Sequence, residues 1–381
     1  MPALLLVQMK KLYSSFLIFI LYVGLPVKGQ FFVDVALPDS SGLKMPEQKF
    51  GLRISSIAFF KNNEYFHPLV EGYTLPGFQL QPRLYYDLGE KFSLEAGVHL
   101  SQFSGKDGLN SVDPLFRATY NATPKFSVLL GWLKGTANHQ LIEPLYQWEK
   151  LYTDPLEYGV QFLVDKPGFK LDTWINWEKY IEFNDPFQEE LTFGTTTKIR
   201  LLQNGLFEFW IPVQATIKHK GGQFIAVDAP LTTHTNWVTG FNVVMNRQSQ
   251  ILRRLMFDFY YAGFSDFSPQ KRMPFKNGYG MYSIVTANIS SFTSSLGYWR
   301  GRQFIAPHGE PLFQSVSFTD PSITKPDRYV ITFKTSYLKQ IFRNVSFGAY
   351  FESYYDIKLS QMDYDYGISM ALSGDLLLKS R

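Results

Sequence analysis

Phe207-Glu208-Phe209-Trp210-Ile211-Pro212-Val213-Gln214-Ala215-Thr216-Ile217-Lys218 is the stretch whose reading decides the fold. Taken two residues at a time, Phe207, Phe209, Ile211, Val213, Ala215 and Ile217 fall on one side. Glu208, Trp210, Gln214, Thr216 and Lys218 fall on the other. A β-strand sends successive side chains to opposite faces, so this segment has one greasy face and one wet, charged face. About ten residues is also the length that crosses a bilayer core in a tilted strand. Together these features predict a transmembrane strand with lipid on one side and a hydrated lumen on the other.

The pattern recurs along the chain. Phe50–Phe60, Phe92–Phe103, Phe169–Tyr180, Leu252–Phe264 and Tyr366–Leu376 alternate in the same way, and the whole reads as about sixteen strands, an even number as single-chain bacterial barrels have. The connections carry a second signal. Tight turns such as Gly89-Glu90-Lys91, Lys166-Pro167-Gly168 and Gln203-Asn204-Gly205 suit hairpins. Between them lie longer connectors: Lys61–Pro76, Gly135–Leu156, His219–His234 and Gln303–Asp327 among others. Outer-membrane barrels show this rhythm because periplasmic ends are stitched tightly and external ends carry loops. A soluble β-sandwich needs neither the rhythm nor the uniform strand length. The expected class is all-β: a transmembrane antiparallel β-barrel.

The chain has 381 residues, 17% of them aromatic, with no Cys and a mean hydropathy of −0.12. Bulk hydropathy does not flag a membrane protein because lumen and lipid faces average out within every strand. The long apolar run is N-terminal: Lys10-Lys11 precede Leu12 to Val27, and Lys28-Gly29-Gln30 follow. A basic start, an apolar centre and a small residue at the break predict a signal peptide over 1–29. A periplasmic lead then occupies 30–49 and the barrel 50–381. The leader holds three Lys and no acids, so the net charge of +4 becomes +1 in the mature chain. A near-neutral chain without a basic block argues against nucleic acid as a partner. The absence of Cys excludes disulfides, thiolate metal sites and cysteine catalysis.

Splitting strands by parity separates charge from grease. Phe92, Leu94, Ala96, Val98 and Leu100, and likewise Leu255, Phe257, Phe259 and Tyr261, form an outward set almost free of charge. The opposite set holds Arg53, Arg83, Asp87, Glu95, Arg117, Lys198, Arg200, Glu208, Lys218, Arg254 and Asp258. A lipid-facing Arg or Lys at mid-membrane costs about 2–4 kcal/mol, which enforces the segregation. The inward charges are therefore the candidate pore lining. A barrel of this size leaves an aqueous channel unless something plugs it. No segment resembles a separate globular plug, and 30–49 is too short for one. The connectors Gly135–Leu156 and Gln303–Asp327 have the length to fold inward, and they carry Trp148, Tyr152 and His308. Aromatic faces beside carboxylates and amides suit sugar binding. Arg300 falls on the outward parity and belongs above the membrane core, where it and Arg302 can reach lipid phosphates or sugar anions.

An enzyme is weighed and set aside. A hydrolytic barrel needs a hydroxyl and a His held together on one face near the membrane edge. His99 and Ser101 share an inward face, but two strand positions put them about 7 Å apart. His67, His139, His219, His234 and His308 fall in loops without a matching signature. No metal cluster or phosphate-cradling glycine loop stands out, and no cofactor is implied.

Taken whole, the chain from Phe50 onward resembles the porin-like outer-membrane β-barrels of diderm bacteria. The resemblance rests on alternation, strand length and the short–long rhythm. It implies a bacterial outer-membrane location, lipid and the barrel-insertion machinery as partners, and association into homo-oligomers. Passive diffusion of small hydrophilic solutes is the function it implies first. The alternative is a plugged or scaffolding barrel in surface polysaccharide handling or secretion; a lipid hydrolase comes last. One departure is the C-terminal Leu376-Leu377-Leu378-Lys379-Ser380-Arg381, where many such barrels end in an aromatic residue. An insertion signal near Tyr366, or tolerance of Leu, accounts for it.

Overall fold

The computed structural model describes residues 49–222, 229–247, 249 and 251–380. The expected signal peptide, 1–29, and the lead up to residue 48 lie outside the described residues. From Lys49 sixteen strands follow in order: β1 (Lys49–Glu64), β2 (Thr74–Leu88), β3 (Phe92–Phe103), β4 (Ser111–Thr123), β5 (Phe126–Trp132), β6 (Tyr158–Lys166), β7 (Phe169–Lys179) and β8 (Glu190–Gln203). The second half comprises β9 (Phe207–Lys220), β10 (Thr232–Asn246), β11 (Leu252–Asp266), β12 (Asn277–Ile289), β13 (Phe292–Arg302), β14 (Asp327–Phe342), β15 (Val345–Asp356) and β16 (Gln361–Ser380). Each pairs antiparallel with its sequence neighbours, and β16 returns to β1 to close the barrel. That last seam runs from Lys49↔Ser380 to Glu64↔Tyr364. β16 outruns its expected span Tyr366–Leu376 at both ends. The run Leu376-Leu377-Leu378 breaks the alternation, but its backbone still has β1 to bond.

Side-chain parity is as expected. Arg53, Ser55, Ile57 and Phe59 are buried inside β1, and Arg83 and Tyr85 inside β2. Leu84, Phe116, Leu130, Leu296 and Ile368 stand exposed on the outer wall. No helix among the described residues is long and apolar enough to cross a membrane. Tight turns cluster at one end and long connections at the other, with one exception: β15 and β16 are joined by 357–360 alone.

Two neighbours at one depth test the wall. Phe257 faces out, while Met256 lines a cavity inside, flanked on its face by Arg254 and Asp258. Phe257→Arg should lower folding stability in lipid vesicles by about 2–4 kcal/mol, and Met256→Arg by less than half of that. Denaturant titration of the refolded variants measures both; equal losses would reverse the face assignment.

Candidate functional site

Two long connections fold into the barrel and fill its outer half. The first, 133–157, contains the 3-10 turn Thr136–His139 and the short helix Lys150–Thr153. The second is 303–326. Leu141, Ile142, Leu145 and Tyr146 from one meet Phe304, Ile305, Leu312 and Phe313 from the other, and both pack on Trp174, Phe264, Tyr282, Trp299 and Tyr354 of the inner wall. The loops bond to each other directly: Gln147 N–H donates to the His308 carbonyl at 2.6 Å, and the Gln314 amide to the Pro144 carbonyl at 3.0 Å. Their approach demands Gly309, where a Cβ would lie 2.0 Å from the Pro144 oxygen. The wall reaches back through Gln214, which accepts from Ile142 N at 2.9 Å and donates to the Gln140 carbonyl at 3.0 Å. Lys334 clamps Glu143 of the loop to Glu352 of β15.

A second clamp centres on His139. Its Nδ1 lies 2.7 Å from Asp172 and its Nε2 2.8 Å from Glu157, while its ring stacks on Trp174 at 3.4 Å. Both nitrogens face carboxylates, so the ring is held as an imidazolium. Burial alone would push it down; Glu157 and Asp172 outweigh burial and push it up to about 9. Burial would likewise raise Glu157, but the His139 charge and hydrogen bonds from Thr136 and Tyr146 hold it down at about 2.

The predicted inward residues fall at four places. Arg53, Arg83, Glu95 and Arg117 crowd the β1–β4 wall. Arg53 bridges Glu95 at 2.8 Å and Asp375 at 2.9 Å, and Arg117 donates to the carbonyls of Trp132 and Leu133. Asp87 sits near the tight-turn end of β2. Lys198, Glu208, Arg254 and Asp258 line a cavity of about 660 Å³ on the tight-turn side of the loops, with Trp148 also at its edge. Arg200 lies 4.0 Å from Glu208. Lys218, at the opposite end, pairs with Glu178 and Glu190. Of the loop candidates, Tyr152 is buried against Phe59 at 4.4 Å, and His308 bonds Glu178 and Thr192, each at 3.0 Å. Arg300 and Arg302 are exposed on the outer wall, with Arg300 over Tyr329 at 5.9 Å. His99 and Ser101 do not meet: His99 bonds Gln81 and Ser101 bonds Ser111.

His219 is not a loop residue. It lies within β9 and continues the odd, outward parity of Phe207–Ile217 by one step. Across the ladder it faces Thr233 of β10. The Thr233 Oγ1 is 2.9 Å from His219 Nδ1, and His219 Nε2 is 3.0 Å from the Gly221 carbonyl. A carbonyl only accepts, so the neutral ring carries its proton on Nε2, and bare Nδ1 accepts from the Thr233 hydroxyl. Gly221 makes the turn behind the His at φ +96°, a conformation side chains resist. The register places Trp177, Leu191, His219 and Thr233 in one outward row at the loop end. Phe267, whose N–H bonds the Thr233 carbonyl at 2.8 Å, extends that row and is 66% exposed. A hydroxyl–imidazole pair thus sits between apolar flanks at the membrane edge. Sequence reading ended β9 at Lys218, two residues short of Lys220, and so missed it.

The protein is an outer-membrane β-barrel, and the chain belongs to the Lipid A 3′-O-deacylase-type family, whose profile matches residues 39–381. This corrects the expectation of a barrel that is not an enzyme: the family is named for a deacylase. The fold is also that of OprD from Pseudomonas aeruginosa, at 9% identity and a TM-score of 0.51 over 89% of this chain and 97% of that one. A loop-deletion mutant of OmpT, an outer membrane protein of Vibrio cholerae, is similar at 10% identity and a TM-score of 0.50, over 86% and 99%. OccK11 (OpdR) of Pseudomonas aeruginosa is similar at 8% identity and 0.50, over 88% and 99%. Likeness at such identity is one of fold alone. Nothing among the curated proteins matches the sequence.

The His139 clamp has a pH signature. Its folded pKa of about 9 lies above the ordinary 6.5, so its contribution is fully present below pH 6.5 and is lost as pH rises through about 9. Trp174, stacked on the imidazolium, should be quenched at neutral pH and brighten with a midpoint near 9, read as the fluorescence difference from Trp174→Phe. A midpoint near 6.5 would mean the clamp does not hold the charge.

Proposed function

We propose that this barrel is an ester hydrolase of the outer leaflet that removes an O-linked acyl chain from a lipid A-type glycolipid. The Thr233–His219 pair on the lipid-facing side of the loop end is the observation that carries this reading. An acyl ester anchored in the outer leaflet presents its carbonyl at the membrane edge, where a group inside the lumen would not reach it. In the proposed reaction Thr233 Oγ1 attacks the ester carbonyl carbon while His219 Nδ1 takes the hydroxyl proton. The sugar oxygen leaves with that proton, and the acyl group remains on Thr233. Water, deprotonated by His219, then attacks the acyl-threonine, releasing a fatty acid and restoring the hydroxyl. The Gly221 carbonyl orients the ring, the part that a carboxylate plays in other triads. Trp177, Leu191 and Phe267 offer apolar surface for the neighbouring chains. The family name supplies the substrate class.

Mass spectrometry of lipid A incubated with the purified protein in mixed micelles tests the reading. Wild type should release one acyl chain. Thr233→Ala should abolish release, Thr233→Ser should retain it, and His219→Ala should slow it by about 10²–10⁴-fold. Full activity in Thr233→Ala would refute the assignment.

A second reading, passage of small hydrophilic solutes, is favoured by the 660 Å³ cavity and the charges Lys198, Glu208, Arg254 and Asp258 that line it. Under that reading Arg53, Arg83, Asp87, Glu95, Arg117, Arg200 and Lys218 complete the lining. The inward loops oppose it by filling the outer half. Reconstituted protein should then conduct in planar bilayers, and reversing Lys198 and Arg200 to Glu should shift the reversal potential toward cations at low salt. Silence from folded protein counts against passage.

A further inference from the structure

The inward loops leave the cavity of about 660 Å³ between the tip Gln140–Glu143 and the tight-turn end of the barrel, a size in the range of small-molecule sites. Its charges are unevenly paired. Lys334 is taken by Glu143 and Glu352, Glu208 by Asn246, Trp210 and Arg200, and Lys170 by Asp165. Lys198 donates to the Gln140 side chain at 3.1 Å, and the Arg254 Nε is buried without a hydrogen-bond partner among the described residues. Neither has a carboxylate within ion-pair distance among the described residues. Over the whole lining four cations balance four carboxylates, but among the described residues Lys198, Arg254 and Asp258 stand outside the ion pairs, and these three half-buried groups leave one positive charge in excess at their end of the cavity. A buried guanidinium N–H gains from an acceptor brought to it. The rest of the lining is largely apolar: Ile142, Val244, Met256 and Ile284, with the faces of Tyr260 and Trp210.

We propose that this cavity binds an amphiphile with a single anionic head and an alkyl body, the alkyl carboxylate class, with its head between Lys198 and Arg254 and its tail against Ile142, Val244 and Met256. Charge and shape act together here. A head alone gains no apolar burial, and a neutral head offers Lys198 and Arg254 no countercharge. The site is independent of the outer-rim Thr233–His219 pair: it lies inside the barrel, and failure of either proposal leaves the other standing. Because Gln140 and Ile142 belong to the inward loop, occupancy also bears on the tip that closes the lumen.

Isothermal titration of the protein in phosphatidylcholine nanodiscs with octanoate tests the proposal, with octyl glucoside as the neutral head and acetate as the head alone. Octanoate should bind saturably at one per chain, and both controls at least about tenfold more weakly. Lys198→Met and Arg254→Met should each weaken octanoate by about tenfold or more, with circular dichroism unchanged. If either variant fails to fold, Ile142→Trp, which fills the cavity and keeps both cations, should abolish binding. Equal affinity for octyl glucoside, no saturable binding by wild type, or undiminished binding by Ile142→Trp would each overturn it.

Discussion

Backbone hydrogen bonding in lipid is the constraint on which everything else depends. A strand in hydrocarbon has no water to satisfy its N–H and C=O groups, so each must bond a neighbouring strand and the sheet can have no edge. The β1–β16 seam meets that requirement, pairing Lys49–Glu64 with residues 300 or more positions away. Closure then fixes every side chain. With a period of two, a one-residue slip anywhere would turn Arg53, Arg83 and Glu95 into lipid and Leu84 and Leu130 into the lumen. The charge segregation and the hydrogen-bonded closure therefore enforce one another.

Closing sixteen strands creates a lumen that the wall side chains do not fill. Loops 133–157 and 303–326 fill its outer half, and they do so as a second small core. Phe313, Phe304 and Ile305 are as fully buried as any residue of a soluble protein. Inside this core, polar groups answer to clamps: Lys334 with Glu143 and Glu352, His139 with Glu157 and Asp172. Breaking one partner of such a clamp strands a buried charge, which ties the loops to the wall more firmly than apolar packing alone. The loop tip in turn roofs the cavity below it, so the loops divide the lumen into a packed outer half and an inner one that keeps a cavity lined by charged and apolar side chains.

The outer wall serves differently. Its aromatics and aliphatics meet lipid, yet at the loop end it presents a hydroxyl and an imidazole in hydrogen-bond contact. A lumenal site sees solutes; a site on this wall sees lipid.

Strand number, strand type and facing were legible in the chain because they follow from a local period of two, read within ten residues at a time. The short–long rhythm of connections was legible for the same reason, and so were the inward positions of Arg53, Glu95, Lys198 and Asp258. Only the tertiary structure decided what those residues touch. Glu143 and Lys334 are 191 residues apart, and His139 meets Asp172 across two strands and a turn. Thr233 and His219 lie fourteen residues apart, and whether they meet depends on the β9–β10 register. Alternation tells which way a side chain points, but not how far along the neighbouring strand its partner stands. Register, and the choice of long loops to fold inward, are set by closure and packing over the whole barrel, and no local window contains them.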